Sequence, residues 1–116
     1  MTYIPGGNLI TDEATGAAAI AHSLAIKKVS KLISVSLHLD DGPSDSENYT
    51  ITINKNAGAA YDTLIYSLDL STGSTKNLLW LPDADIYLEP GDAIDVAYAN
   101  TGTDTYGSQI TVLELV

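Results

Sequence analysis

The sequence contains no cysteine, no arginine and no phenylalanine. Without cysteine the protein has no disulfide framework, no cysteine-ligated zinc and no thiol nucleophile. Without arginine it lacks the guanidinium group that binds phosphates and carboxylates through two hydrogen bonds at once. The chain has 116 residues, of which 45% are hydrophobic, and this is enough for one domain with a single core.

Positive charge is scarce. Five lysines stand against fifteen acidic residues, which gives a net charge of −10. A basic surface for nucleic acid or for an anionic membrane is therefore excluded as a mode of binding. The charges are unevenly placed, because residues 1–31 have a net charge of +1 and residues 32–116 have −11. Lys27, Lys28 and Lys31 form the one cationic cluster of the sequence.

Long apolar runs are also missing. The longest spans residues 17–21, whereas a membrane helix needs about 20 apolar residues. The first charged residues, Asp12 and Glu13, are acidic, and this is unlike the cationic start of a secretory signal. We therefore expect no membrane partner and no secretory leader, so that the protein works where it is made or is carried out by something else.

From residue 30 onward, apolar and polar residues alternate with the period of a half-buried β-strand. The run 31–40 places on one face the apolar residues Ile33, Val35, Leu37 and Leu39. The run 48–54 does the same with Tyr49, Ile51 and Ile53. Further strands are predicted at 61–70, with Leu64, Tyr66 and Leu68 in phase, and at 77–81, 86–88, 93–99 and 106–115. In the last of these the apolar phase slips between Val112 and Leu113, which predicts a bulge or a change of sheet.

Turn residues separate nearly all of these runs, and no amphipathic helix lies between them. Short strands joined in this way predict an all-β fold, an antiparallel β-sandwich of about eight strands that is jelly-roll-like. Less than about 10% helix is expected, since the patterns leave no room for more.

The N-terminal segment is harder to interpret. Pro5 and the glycines that follow it favour a separate arm over residues 1–16, followed by the sandwich domain over residues 17–116. Residues 17–26 have the composition of a helix, but the alternation of Ile20 and His22 with Ala21 and Ser23 favours a strand. The alternative is that residues 1–31 supply the first strands of the sandwich.

The residues that could carry chemistry are few. His22 and His38 are the only histidines, and both are interpreted as surface or sheet-face residues. No Gly-x-Ser-x-Gly elbow supports a serine nucleophile, so we expect no enzymatic activity, no metal and no cofactor. Acidic residues cluster in 40–47 and 83–95. They are interpreted as exposed residues of the loops between strands, with calcium binding as the alternative. Trp80 lies among leucines and is interpreted as a core or inter-subunit anchor, with a sugar-stacking platform as the alternative.

Four segments resemble small structural proteins encoded in the head modules of tailed bacteriophages. These segments are 34–39 (SVSLHL), 46–53 (SENYTITI), 60–67 (AYDTLIYS) and 88–100 (LEPGDAIDVAYAN). The resemblance implies a jelly-roll capsid decoration, or cement, protein that binds the major capsid protein on the outside of the head, as a homotrimer. The resemblance implies synthesis in the host cytoplasm and localisation in the virion. The family has no catalytic residues that could be transferred to this chain.

On this hypothesis the N-terminal segment attaches the protein to the shell. Its apolar side chains would contact the capsid and its lysines would face carboxylates, and the candidate residues are Tyr3, Ile4, Leu9, Ile10, Lys27, Lys28 and Lys31. Leu79 and Trp80 are the candidates for the contact between subunits. The alternative function is a β-sandwich carbohydrate-binding module.

Overall fold

Nine β-strands provide the regular structure of residues 7–115, the part of the chain that the computed structural model describes. They are β1 Asn8–Gly16, β2 Ile20–Ala25, β3 Ser30–Leu39, β4 Asn48–Asn54, β5 Thr63–Asp69, β6 Asn77–Trp80, β7 Tyr87–Leu88, β8 Ala93–Tyr98 and β9 Tyr106–Glu114. Within that range, helical structure is limited to two three-residue 3-10 turns, Ala59–Tyr61 and Thr72–Ser74. In the same residues, no helix has the length and apolar character needed to cross a membrane.

The strands form two antiparallel sheets. The first sheet has the order β1-β9-β3-β6, with β7 also paired to β3, and the second sheet has the order β2-β8-β4-β5. This is the strand order of an eight-stranded jelly roll made of two Greek keys, to which β7 is a short addition. The prediction of an all-β antiparallel sandwich is confirmed.

The core lies between the two sheets and follows from the alternation along each strand. Val35 of β3, Ile51 of β4, Ile94 of β8 and Ile110 of β9 are each 0% exposed. Burying one such side chain fully contributes roughly 1.5–3 kcal/mol relative to leaving it in water. The same alternation leaves serine, threonine and charged side chains on the two outer faces.

A β-bulge in β3 changes the residue that enters the core. The register between β3 and β9 shifts between Leu32 and Ser34, so Ile33 is the extra residue. Leu32 is 1% exposed and takes the inward position, whereas Ile33 stays half-buried outside the core. The prediction for Ile33 is therefore wrong. The irregularity expected near Val112 lies in β3, the partner strand, while β9 continues unbroken.

A second bulge does the same in β5. Tyr66 pairs with Ile51 and Leu64 pairs with Thr52, which leaves Ile65 as the extra residue. Leu64 thus points to the outer face and is 57% exposed, so the prediction that it shares the phase of Tyr66 is wrong. Strict alternation predicts the face of each side chain only up to a bulge, because one extra residue exchanges the inward and outward positions on its far side.

The N-terminal segment belongs to the sheets. β1 pairs with β9 along all nine of its residues, and β2 pairs with β8. Over Asn8–Gly16 the predicted arm is therefore an edge strand, because hydrogen bonds to β9 satisfy its backbone. The alternative, that this segment supplies the first strands, is correct for β1 and β2. Residues 1–6 of the predicted arm lie outside the described residues.

The strands run between two ends of the sandwich, which we name by their charge. The acidic end comprises the connecting segments 17–19, 40–47, 70–76 and 99–105. The lysine end comprises the segments 26–29, 55–62 and 81–92, together with the first residues of β1 and β3. β1 begins at the lysine end, since Asn8 lies opposite Glu114 and Glu114 lies opposite Ser30.

Candidate functional site

The lysine end gathers several of the predicted attachment residues on the outer face of the first sheet. Leu9 lies opposite Leu113, which lies opposite Lys31, which in turn lies opposite Tyr87. These four residues form one row across β1, β9, β3 and β7. Leu9 is 56% and Tyr87 is 55% exposed, so the row has apolar side chains in contact with solvent.

Other exposed apolar side chains lie at the same end. Among residues 7–115 the large hydrophobic side chains that remain exposed are Leu9, Val29, Tyr61, Leu64, Leu79, Leu81 and Tyr87. Five of them belong to the lysine end: Leu9, Val29, Tyr61, Leu81 and Tyr87. Leu64 is the second residue of β5, which begins at this end, and Leu79 lies on β6, which runs toward it. Exposed apolar side chains concentrated in one region are typical of a surface that binds a partner.

Positive charge is concentrated at this end as well, because four of the five lysines lie here. Lys31 Nζ lies 3.0 Å from Asp85 Oδ1. The hydrogen bond to Asp85 and the negative charge of that carboxylate raise the pKa of Lys31. Lys27 and Lys28, on the segment between β2 and β3, are exposed. Their charges face solvent and are available to carboxylates of a partner.

The segments of the lysine end are held by one buried carboxylate, Asp92, which is 3% exposed. It accepts hydrogen bonds from Lys55 Nζ at 2.8 Å, from the Asn56 backbone N–H at 3.0 Å and from the Glu89 backbone N–H at 2.9 Å. Burial by itself raises the pKa of Asp92, but these hydrogen bonds outweigh burial and lower it to about 2. Asp92 is therefore ionised and joins segment 55–62 to segment 81–92.

The remaining predicted site residues fall in different places. Tyr3 and Ile4 lie outside the described residues. Ile10 points between the sheets and packs against the core, so it is not part of the exposed surface. Leu79 is 65% exposed, whereas Trp80 is half-buried with its ring centroid 6.0 Å from that of Tyr66. Trp80 thus closes the core between the edge strands β5 and β6.

At the acidic end the carboxylates bind the protein's own loops. Asp104, which is 7% exposed, accepts hydrogen bonds from the Ser44 backbone N–H at 3.0 Å and from Ser44 Oγ at 2.7 Å. Glu47 accepts from the Thr101 backbone N–H at 2.9 Å and from the Thr101 hydroxyl. The Asn100 side chain donates to the Ala18 carbonyl at 2.9 Å. Three connecting segments are therefore fixed to one another.

Gly42 is required for this packing. Its φ is +91°, a conformation that residues with a side chain rarely adopt, and a Cβ there would lie 2.5 Å from the Asp104 carboxylate. Within residues 7–115, no group of three histidine, aspartate or glutamate side chains is arranged to hold a metal ion.

A chain of three polar side chains crosses between the sheets. His22 Nε2 donates to Asp12 Oδ2 at 2.7 Å, and His22 Nδ1 accepts from Ser108 Oγ at 2.8 Å. His22 is 6% exposed, so its prediction as a surface residue is wrong, while His38 is exposed as expected. Ser108 is 1% exposed, so its hydroxyl is enclosed between the sheets. This Ser–His–Asp arrangement ties β1, β2 and β9 together.

A signal for this arrangement exists in the sequence. Each of the three polar residues lies two positions from an inward-facing isoleucine of its own strand, so it faces inward as well. The pairs are His22 with Ile20, Asp12 with Ile10, and Ser108 with Ile110. A polar residue in the apolar phase of a strand needs a partner, because an unpaired buried polar group is unfavourable. That the three partners meet depends on the pairing of β1 with β9 and of β2 with β8, which alternation along one strand does not specify.

The sequence was compared with known proteins. No protein-family model and no curated protein matches it.

Proposed function

We propose that the protein is a structural binding module, a decoration protein that docks on the outside of a tailed-phage head through its lysine end. The partner is the major capsid protein, and the bound protein reinforces the shell in the virion. The observation that carries the proposal is the segregation of the surface: exposed apolar side chains and four of five lysines lie at one end. The other end uses its carboxylates to fix its own loops.

The fold and the sequence give further support. Jelly rolls are a common architecture of viral capsid domains, and a docking role on a phage head is the one expected from the resemblance described for the sequence. The alternative of a carbohydrate-binding module with an aromatic platform has weaker support, because Trp80 packs against Tyr66 instead of facing solvent.

Self-association as a trimer is part of the proposal. Two copies with a charge of −10 each repel one another, so the contact between them must be largely apolar. Leu79 on the outer face of β6 is suited to such a contact, since it is 65% exposed and has no charged neighbour in the run 77–82. Sedimentation equilibrium at micromolar concentration should give three times the chain mass of 12.2 kDa, and the mass of one chain would remove this part of the proposal.

Heads purified from a phage that lacks this protein provide the binding test. The intact chain should cosediment with these heads, and the double variant Lys27→Glu, Lys28→Glu should bind at least about tenfold more weakly, because charge reversal opposes carboxylates on the shell. The matched control is Lys76→Glu at the acidic end, which should bind like the intact chain. Absence of binding by the intact chain would exclude the proposal.

The contribution of the extreme N-terminus is separable. Deletion of residues 2–15 would remove most of β1, and with it an edge of the first sheet. Deletion of residues 2–6 leaves β1 complete, so it tests Tyr3 and Ile4 without removing a strand. Weaker binding by this shorter variant with an unchanged melting temperature would assign these residues to the contact.

A further inference from the structure

The outer face of the first sheet has a second region, nearer the acidic end, that differs from the apolar row. Gly107 of β9 lies opposite Thr15 of β1 on one side and opposite His38 of β3 on the other. In the neighbouring outward row, Gln109 lies between Glu13 and Ser36. Small and polar residues therefore occupy two adjacent rows across three strands.

Gly107 makes this region concave. A Cβ added at Gly107 would meet no atom within 4 Å, so the missing side chain leaves open space above the strand. The resulting depression has a volume of about 410 Å³, which lies within the range of about 300–1,000 Å³ typical of small-molecule sites. We call it the Gly107 depression, and its outward-facing residues are Glu13, Thr15, Ser36, His38, Gly107 and Gln109.

The polar groups around the depression are fixed, and each retains hydrogen-bonding capacity. Gln109 Nε2 donates to Glu13 Oε2 at 2.9 Å, and His38 Nδ1 donates to Asn77 Oδ1 at 2.6 Å. The second oxygen of Glu13 and the carbonyl oxygen of Gln109 remain as acceptors, and His38 Nε2 is a further ring nitrogen that can form a hydrogen bond. His38 Nε2 is 3.9 Å from Asp40 Oδ1, which is too far for a hydrogen bond.

This set of groups selects the chemistry of a ligand. The lining offers acceptors on Glu13 and Gln109 and donors on Gln109 and Ser36, so the ligand must both donate and accept hydrogen bonds. The Glu13 carboxylate, with no lysine among the lining residues, disfavours an anion. The exposed surface of the lining is otherwise largely apolar, and the C–H faces of a sugar ring can pack on such a surface. Sugar hydroxyl groups donate and accept at closely spaced positions. We propose that the Gly107 depression binds a neutral saccharide.

This binding activity goes beyond the proposed docking function and does not depend on it. The depression lies toward the acidic end, so a protein docked through the lysine end leaves it facing solvent. No aromatic ring lines it to stack on a sugar, and it is open to solvent. We therefore expect weak binding of a single site, with a Kd of about 1 mM.

The test is an NMR titration of the intact protein with neutral monosaccharides and disaccharides of glucose, galactose, mannose and their N-acetyl forms. At least one should shift the backbone amide signals of Ser36, His38, Gly107 and Gln109 in a saturable manner. Sialic acid, which is anionic, should bind more weakly than that sugar. Absence of saturable shifts at these amides for every neutral sugar, or tighter binding of sialic acid, would overturn the proposal.

The variant Gly107→Val sharpens the test. Valine suits a strand, and the open space accepts its methyl groups, so the variant should fold while the depression is filled. Its affinity for the sugar should fall at least about tenfold. The matched control is Ala97→Val on the outer face of the second sheet, which should bind like the intact protein. Unchanged sugar binding by folded Gly107→Val would place the site elsewhere and overturn the proposal.

Discussion

The connecting segments at the two ends of the sandwich contain the same number of acidic residues, five each, but use them differently. At the acidic end Glu47 and Asp104 accept hydrogen bonds from neighbouring loops. At the lysine end Asp92 likewise joins two segments, but Asp85 and Asp92 also pair with lysines, and several large apolar side chains of this end stay exposed. One end is therefore closed on itself, whereas the other presents groups that a partner can bind. Net charge alone does not reveal this difference.

The largest effect on stability is expected at Asp92. Asp92→Ala leaves the Lys55 ammonium and the backbone N–H groups of Asn56 and Glu89 without their acceptor. We expect the free energy of unfolding to fall by about 3 kcal/mol, because breaking a buried ion pair leaves its partner uncompensated. Chemical denaturation measures the change. Asp83→Ala in the same segment is exposed and should change stability by less than about 0.5 kcal/mol, and equal effects of the two variants would contradict the role of Asp92.

The same carboxylate predicts how stability depends on pH. The pKa of Asp92 in the folded protein is about 2, below its ordinary value of 3.8. Its stabilisation is therefore fully present above about pH 4 and is lost as the pH falls from there toward 2, by about 2 kcal/mol in total. Unfolding measured between pH 5 and pH 2 should show this loss in the intact protein.

The loss should be smaller in Asp92→Asn, which cannot ionise at this position. Asp69 and Asp85 also have lowered pKa values, because hydrogen bonds from Ser46 and from Lys31 favour their ionised forms. Their contribution is common to both proteins, so the difference between the two pH profiles isolates Asp92. Identical profiles would contradict the assignment.

At the acidic end a smaller effect is expected from Asp104. Asp104→Ala removes the acceptor for the backbone N–H and hydroxyl of Ser44, and should cost about 1.5 kcal/mol. Asp45→Ala is the matched control, since Asp45 is exposed and lies next to Ser44 on segment 40–47, and it should change stability by less than about 0.5 kcal/mol. The Asp104 variant should still bind phage heads, because in the proposed orientation this end faces away from the shell. If this variant keeps its fold but no longer binds heads, the acidic end and not the lysine end contacts the shell.

The smallest effect has the opposite sign. Tyr49 is 0% exposed, and its hydroxyl has no hydrogen-bond partner among the described residues. Burial raises the pKa of Tyr49, so the group stays neutral. Tyr49→Phe should raise the free energy of unfolding by up to about 1 kcal/mol, because it removes a buried polar group without a partner. Tyr61→Phe, which alters an exposed ring, should have no measurable effect, and destabilisation by Tyr49→Phe would contradict the account.

The architecture follows from the sequence where the period of two is unbroken. The runs around Val35, Ile51 and Ile94 predicted strands and the inward face correctly. The predictions for Ile33 and Leu64 were wrong because each residue lies at a β-bulge. One inserted residue exchanges the inward and outward faces for the residues on one side of the bulge. Residues 1–16 were predicted as an arm because Pro5 and the glycines that follow it indicate a turn or a flexible segment. The pairing of Asn8–Gly16 with the distant strand β9 is not visible in that local pattern.

The two ends were beyond prediction, because they depend on strand order. Lys27 and Lys28 were recognisable as a cationic cluster, but the proximity of Leu9, Lys31 and Tyr87 follows from the register of four strands. The contact of His22 with Ser108 similarly joins residues that are 86 positions apart. The local pattern therefore predicts strands and faces, while the sites arise from the pairing of distant segments.

The most direct test of the docking orientation uses the absence of native cysteine, which makes single-cysteine variants specific. Val29→Cys labels the lysine end and Asp41→Cys labels the acidic end, both at exposed positions. The rate of maleimide modification is measured for each variant, free and bound to phage heads that lack this protein. The account predicts that binding to heads protects Val29→Cys at least about tenfold and leaves Asp41→Cys unchanged. Protection of Asp41→Cys with Val29→Cys still reactive would contradict it.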